Sequence, residues 1–138
     1  MANLNQIQTS FESLLTQTTG VTKWDTIQFS MLPKEQPKGY LQMIQVQYGA
    51  LSTSEWLVGI GIAELTLEAL NARVYNLLEA IEANLYSPNP CLEGGGSVAI
   101  NGPIQVEIPD SYANQSGISN TTGFRTAITF QATIQFAR

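Results

Sequence analysis

The residues of this chain that could take part in catalysis are few, and histidine is not among them. The 138-residue sequence contains no histidine and a single cysteine, Cys91. Histidine is the usual general base near neutral pH and the commonest metal ligand, so Ser-His-Asp, Cys-His and histidine–metal sites are excluded in this chain. Cys91 lies between Pro90 and Leu92, and we expect a small packed or loop thiol there rather than a nucleophile.

Two pairs of acidic residues have helical spacing. Glu64 and Glu68 are four positions apart, and Glu79 and Glu82 are three positions apart. Paired carboxylates can act as general acid and base. On an amphipathic helix, however, such pairs ordinarily form the solvated face, and we interpret them in that way. We therefore predict no catalytic, cofactor-binding or metal-binding residues and no enzymatic activity; an enzyme that uses carboxylates alone is the weakest alternative.

Glycine-rich and aromatic residues give no stronger signal for a ligand site. The run Gly94–Ser97 lacks the spacing and the Gly-Lys-Ser/Thr ending of a phosphate-binding loop, so we interpret it as a flexible connector. Trp56 lies in an apolar stretch and is predicted to be a core residue. Should the chain be a non-viral soluble binding module, Trp24, Tyr40 and the polar segment Asp110–Gly123 would form its ligand site.

The charge balance argues against a nucleic-acid-binding role. Charged residues make up 12% of the chain, and six basic residues stand against eleven acidic ones, for a net charge of −5. The basic residues are scattered, whereas nucleic-acid binding draws most of its affinity from clustered Lys and Arg on phosphates. We expect no sequence-specific binding, although a weakly acidic surface along which DNA slides is compatible with this composition. A surface of Gln, Asn, Ser and Thr is easily desolvated and suits protein–protein contacts.

Length and hydropathy indicate one domain, residues 1–138, large enough for a single core. Hydrophobic residues make up 43% of the sequence, and no apolar run approaches the roughly 18 residues that a membrane span requires. The first residues lack the basic and apolar regions of a signal peptide, and the lone cysteine allows no internal disulfide. We expect synthesis in a reducing host cytoplasm and no association with a membrane.

Apolar spacing predicts two helices. The first follows a 3-and-4 repeat and ends near Thr18–Gly20, with Gly20 in the left-handed position after the last turn. The second begins after Thr66, a suitable N-cap, and ends before the run Tyr86–Pro90. We predict that the second helix packs on a sheet through one face. The first helix repeats Leu4, Ile7, Phe11, Leu14 and Leu15, and the packing face of the second comprises Leu70, Val74, Leu77, Ile81 and Leu85.

The middle of the chain predicts a hairpin. Tyr40–Tyr48 and Glu55–Ile62 read as strands around a turn-like segment. Gly59 and Gly61 in the second strand suggest a bulge or the close approach of another backbone. The preceding segment, Val21–Gly39, reads as a loop with a short strand at Thr26–Met31.

The last third of the chain predicts short strands, a loop and one long strand. Val98–Ile100 and Ile104–Ile108 read as short strands around the turn-prone pair Asn101-Gly102, and Asp110–Gly123 reads as a mobile polar loop. The last fifteen residues, 124–138, then alternate between an oily and an uncharged polar face, which is the period of a strand. At roughly 3.3 Å per residue this strand reaches about 45–50 Å, which suggests assembly rather than chemistry.

These elements indicate an α+β fold, in the order helix, strand, strand, helix and then three strands. We expect an antiparallel or mixed sheet, two helices packed on one of its faces, and a long C-terminal strand.

The layout resembles the tail-terminator (tail-completion) proteins of long-tailed bacteriophages. The resemblance covers the N-terminal helix ending near Gly20, the strand pair, the central helix Leu67–Tyr86 with its segment Ala69–Ala80, and the final strand closing on Phe136-Ala137-Arg138. It implies a structural virion protein that forms a homohexameric ring at the head-proximal end of the tail tube. The implied partners are further copies of the chain, the tail tube protein, the neck or head-completion protein and, in a contractile tail, the sheath.

Other roles within the particle stay open. The segments Pro33–Gly39 and the glycine-rich stretch after Cys91 fit another tail, neck or baseplate component equally well. For a ring, we expect sheet edges of adjacent subunits to pair or abut, because strand addition needs no charged side chains. The loops Val21–Gly39 and Asp110–Gly123 would then face the tube and neck partners.

Overall fold

Two helices and a six-stranded sheet account for most of the described chain. The computed structural model describes residues 3–25, 38–86, 90–93, 95–116 and 119–137, and the side chains of all these except residues 112–122. The elements in chain order are α1 (Leu4–Thr19), β1 (Trp24–Asp25), β2 (Lys38–Gln47), β3 (Ser52–Glu64), α2 (Leu67–Leu85), β4 (Ser97–Val106), β5 (Asp110–Ser116) and β6 (Ser119–Phe136).

Helix α1 is set by caps at both ends. The Asn3 side chain accepts a hydrogen bond from the Gln6 N–H, and the Gln6 side chain accepts one from the Asn3 N–H, so two otherwise unpaired donors are satisfied. At the other end Gly20 has a φ of 78° and donates its N–H to the Thr16 carbonyl at 2.8 Å. The predicted end of this helix, with Gly20 in the left-handed conformation, is confirmed.

Helix α2 follows its predicted bounds and packing face. The Thr66 hydroxyl accepts a hydrogen bond from the Ala69 N–H at 3.1 Å, which is the N-cap that the sequence indicated. The buried residues of the helix are the five predicted ones: Leu70, Val74, Leu77, Ile81 and Leu85.

The sheet is mixed, and β6 lies at its centre. The strand order is β1-β2-β3-β6-β4, and β5 pairs with β6 beyond the end of β4. Strands β1 and β2 are parallel, and every other pair is antiparallel. The β3–β6 ladder runs without interruption from Ser52↔Phe136 to Glu64↔Phe124. The α+β architecture and the long C-terminal strand are confirmed, and the strand begins earlier than the alternation alone indicated.

Both helices cover the same face of the sheet. Alternate residues of β3 and β6 are buried beneath them, and the rings of Phe11 on α1 and Trp56 on β3 meet edge-to-face with centroids 6.1 Å apart. Trp56 is 2% exposed and donates its indole N–H to Ser54, so the prediction that it is a core residue is confirmed. The opposite sheet face carries no described helix.

Two predicted turns or bulges are misplaced. Residues 97–106 form one strand, so Asn101-Gly102 does not turn the chain back. It lies instead at a register shift between Asn101 and Gln105, where Gly102 has a φ of 69°. Of the two features that Gly59 and Gly61 suggested, the bulge is not found in β3; the register shift of the β2–β3 pair lies on β2, between Met43 and Gln45. A turn-prone pair marks a change in strand direction or a bulge, and its sequence does not distinguish the two.

The segment Asp110–Gly123 is not the loop that its composition predicts. Its first residues form β5, and its last residues begin β6. The register runs regularly from Asp110↔Arg125 to Ser116↔Ser119. A hairpin ladder is made of backbone hydrogen bonds, so a polar segment can form one without an apolar alternation.

Two other predicted features lie partly or wholly outside the described residues. The short strand at Thr26–Met31 falls entirely there. Of the glycine-rich connector, Gly94 is not described, while Gly95 and Gly96 close a hydrogen-bonded turn: the Gly95 N–H donates to the Leu92 carbonyl at 3.0 Å, and the Leu92 N–H donates to the Gly96 carbonyl at 2.8 Å.

Candidate assembly surface

The residues that could do chemistry are dispersed over the structure. Cys91 is exposed and forms an isolated bridge with Ser97. Glu64 forms an ion pair with Arg73 at 2.6 Å. Glu79 and Glu82 are exposed on the solvent side of α2. Across the described ranges, no three His, Cys, Asp or Glu side chains are grouped so that they could hold a metal ion.

The aromatic ligand site of the binding-module alternative is not assembled in this structure. Trp24 pairs in register with Gly39, which has the same strand parity as Leu41, and Leu41 is buried on the helix face. The indole N–H of Trp24 donates to Thr16 of α1 at 3.0 Å. Tyr40 belongs to the opposite parity of β2, so it lies on the other face of the sheet. Asp110 pairs with β6 at the far edge of the sheet. Three residues placed in this way do not line one pocket.

The sheet face away from the helices is polar and nearly uncharged. Four cross-strand rows of described residues cover this face, from the row of Tyr40 to the row of Gln47. They contain one charged side chain, Glu55. A depression of about 290 Å³ lies on this face beside the β4 bulge, with Leu57, Pro103 and several amide side chains around it. The cross-strand rows are Tyr40–Gly59–Thr129–Gln105, Gln42–Leu57–Gln131–Asn101, Gln45–Glu55–Thr133–Ala99 and Gln47–Thr53–Gln135–Ser97.

Two backbone edges of the sheet, those of β2 and β4, are interrupted. Strand β2, which forms one edge beyond the two-residue β1, has its register shift between Met43 and Gln45. Strand β4, on the other side of the sheet, has its shift between Asn101 and Gln105, and Pro103 lies within it. Bulges and proline are the usual means by which an edge strand resists pairing with another chain. Continuous strand addition along β2 or β4 is therefore disfavoured.

The β5–β6 hairpin projects beyond the rest of the sheet. Strand β3 ends opposite Phe124, and from there to Ser119 β6 pairs with β5 alone. Five residues of strand extend about 16 Å. We call residues 111–123 the arm. Its base is fastened on both strands: the Arg125 guanidinium donates to the Asp110 carboxylate at 2.9 Å, and the Thr126 hydroxyl donates to the Glu107 carbonyl at 2.6 Å.

Apart from those in or next to α2 (Leu65, Leu67, Tyr75 and Tyr86), the exposed large apolar side chains of the described residues lie at two places. One is the end of the β2–β3 hairpin, which we call the tip patch: Ile44, Tyr48 and Leu51. The other is the bend between β4 and β5, which we call the elbow patch: Val106 and Ile108. The sequence pattern missed both patches: it places Ile44 and Tyr48 in one predicted strand, Leu51 in the turn-like segment after it, and Val106 and Ile108 in another predicted strand. Pro109 directly after Ile108 is the one signal that the strand stops there.

Comparisons with known proteins give no family for this chain. No protein-family model and no curated protein matches it. Neither described helix is long and apolar enough to cross a bilayer. Among solved structures, the chain is similar to one from the virion of a native gene transfer agent particle, with 13% identity, a TM-score of 0.35, and coverage of 97% of this chain and 92% of that chain. A likeness at that TM-score carries no argument about function.

Proposed function

We propose that this protein is a ring-forming structural component of a phage-like tail, at the head-proximal end of the tail tube. In this role it binds further copies of itself, the tube protein on one side and the neck or head-completion protein on the other, with the sheath as a further neighbour in a contractile tail. It works through contacts and not through turnover. The homohexameric state and the position in the tail come from the layout resemblance of the sequence to tail terminators.

The observation that carries an assembly role is the arm. A two-stranded hairpin is marginally stable in water by itself, and β5 makes its substantial contacts with β6 alone. The base of the arm is nevertheless fastened by the Asp110–Arg125 ion pair and the Thr126–Glu107 hydrogen bond. A ribbon that extends past its own sheet from a fastened base is suited to lie on another protein. The candidate residues of a small-ligand site, by contrast, are split between two faces of the sheet.

Labelling of purified particles tests the proposed position. Gold-labelled antibody against the protein is expected at the head–tail junction in electron micrographs. Labelling at the baseplate or along the tube would support another tail component and contradict the terminator role. Absence of the protein from particles, together with a monomer that binds a small ligand, would contradict the virion role altogether.

Shortening the arm tests how the protein docks. In this variant an Asn-Gly turn joins Ser111 directly to Phe124, which keeps the ion pair and removes the projection. We expect an unchanged unfolding midpoint and a loss of head–tail joining, scored as separate heads and tails in the electron microscope. Normal joining by the shortened protein would show that the arm has no docking role. The variant Asp110→Asn, which retains the arm and weakens its base, is the matched control.

A further inference from the structure

The elbow patch presents an apolar side chain from a fixed backbone. Between β4 and β5, the Glu107 N–H donates to the Ala127 carbonyl at 3.0 Å, and its carbonyl accepts from the Thr126 hydroxyl. Ile108 follows directly and is 90% exposed. An isoleucine held in water on a restrained backbone loses little conformational entropy when a partner covers it. The elbow is therefore preorganised for an apolar contact.

The tip patch offers an apolar surface without charge. Ile44 is the extra residue at the β2 bulge, and Leu51, in the turn, is 56% exposed. The Gly49 N–H donates to the Ser52 hydroxyl at 3.3 Å and closes the turn. No charged residue occurs between Lys38 and Glu55. Charge depletion with an aromatic and aliphatic centre is the composition of an interface core.

The two patches cannot meet within one molecule. The tip lies on β2 and β3 beyond the Ser52↔Phe136 pair, whereas the elbow is bonded to β6 at Ala127. Nine residues along β6 correspond to about 30 Å, and the three strand spacings between β2 and the β4–β5 edge add about 14 Å across the sheet. Different patches at opposite edges are the arrangement that a head-to-tail contact between copies requires.

We propose that the tip patch of one copy binds the elbow patch of the next copy, with Ile108 seated between Tyr48 and Leu51. This contact rests on the self-assembly in the proposed function and identifies the surfaces that carry it. Side chains rather than backbone edges make the contact, because bulges interrupt β2 and β4. Glu107, the acidic residue next to Ile108, meets an uncharged segment of the neighbouring copy and is not repelled there. When the ring closes, every copy has both of its patches covered.

Cysteine cross-linking between differently tagged copies tests this contact. On a Cys91→Ser background, Leu51→Cys protein is mixed with Ile108→Cys protein under mild oxidation. We expect a disulfide between the two variants and none within either variant alone. The matched control, Tyr75→Cys mixed with Ile108→Cys, places an equally exposed residue on α2 and should give no disulfide. Disulfides between two Leu51→Cys copies would indicate a two-fold contact and overturn the proposal.

The variant Ile108→Ser gives an independent measure. Because Ile108 is almost fully exposed, we expect the unfolding midpoint to stay unchanged while sedimentation shows self-association weakened about tenfold or more, as loss of an apolar interface anchor would produce. Unchanged self-association would overturn the contact. Rings that form without the Leu51–Ile108 disulfide would overturn it and leave the proposed function standing. If the protein does not self-associate, the contact fails, and particle labelling still decides the proposed function separately.

Discussion

At the scale of single residues, the packing face of α2 joins the helix to the buried face of the sheet. Its five buried side chains repeat at spacings of three and four, and they face the alternate residues of β3 and β6 that are buried on the same side. Since protein cores are packed as densely as organic crystals, a shortened side chain at this interface leaves a cavity that its neighbours fill only in part.

Replacement of Leu77 tests that face. Leu77→Ala should lower the free energy of unfolding by about 2–5 kcal/mol through lost burial and a residual cavity. Tyr75→Ala, two positions along the same helix, is the control because Tyr75 is 61% exposed, and it should change stability by less than about 0.5 kcal/mol. Chemical denaturation of both variants gives the comparison. Equal effects of the two substitutions would show that the helix is oriented differently.

The sequence pattern predicts which side chains are buried, but it does not predict which apolar side chains are exposed. Trp56 and the α2 face follow from periodicity, because burial repeats with the geometry of the element. Ile44 and Ile108 have the same chemistry as core residues, but Ile44 is the unpaired residue of a bulge, on the parity of Tyr40 and Gln42, and Ile108 lies in a bend. Those features arise from tertiary pairing, so the alternation of side chains along the sequence does not show them.

At the scale of elements, β6 connects most of the fold. It pairs with β3 on one side and with β4 and then β5 on the other. The helices and β6 were predictable from their strong periodicity. Strand β5 was not, since its polar residues resemble a loop and only its partner strand reveals the ladder. The continuation of β4 through its register shift was hidden for a similar reason: Asn101-Gly102 has the composition of a turn.

A proline at the centre of β6 tests this role. Thr129 pairs with Gly59 of β3 and Gln105 of β4, so Thr129→Pro removes a backbone donor inside the sheet and introduces a ring that the ladder cannot accommodate. We expect a loss of roughly 3 kcal/mol or more, the scale of a proline inside a helix. Thr129→Val keeps the donor and the β-branched shape and should retain near-native stability. Circular dichroism during thermal unfolding distinguishes the two results.

At the scale of the whole molecule, electrostatics argues against tight DNA binding. Three of the six basic residues are held in ion pairs: Arg73 with Glu64, Arg125 with Asp110, and Lys38 with Asp25. Lys34 and Arg138 lie outside the described residues. With so few cations for phosphates, little counterion release is available to drive binding.

The affinity of the protein for random-sequence duplex DNA tests this expectation directly. At physiological salt we expect no submicromolar affinity by fluorescence anisotropy, and only weak dependence of any residual binding on salt concentration. A submicromolar dissociation constant that weakens steeply with added salt would contradict the prediction. The passage of DNA through a ring concerns the oligomer and is compatible with either surface charge.

The contrasting positions of the two tryptophans give the protein a pair of intrinsic optical probes. Trp56 is buried in the core against Phe11. Trp24 is half-buried at the sheet edge, where its indole N–H is hydrogen-bonded to Thr16. Its ring packs on Gly39, and a Cβ atom added to Gly39 would lie only 2.2 Å from that ring. A small aqueous quencher should therefore reach Trp24 well before Trp56. Emission from single-tryptophan variants would then follow loosening of the α1–β1 edge and melting of the core as separate events in one unlabelled sample.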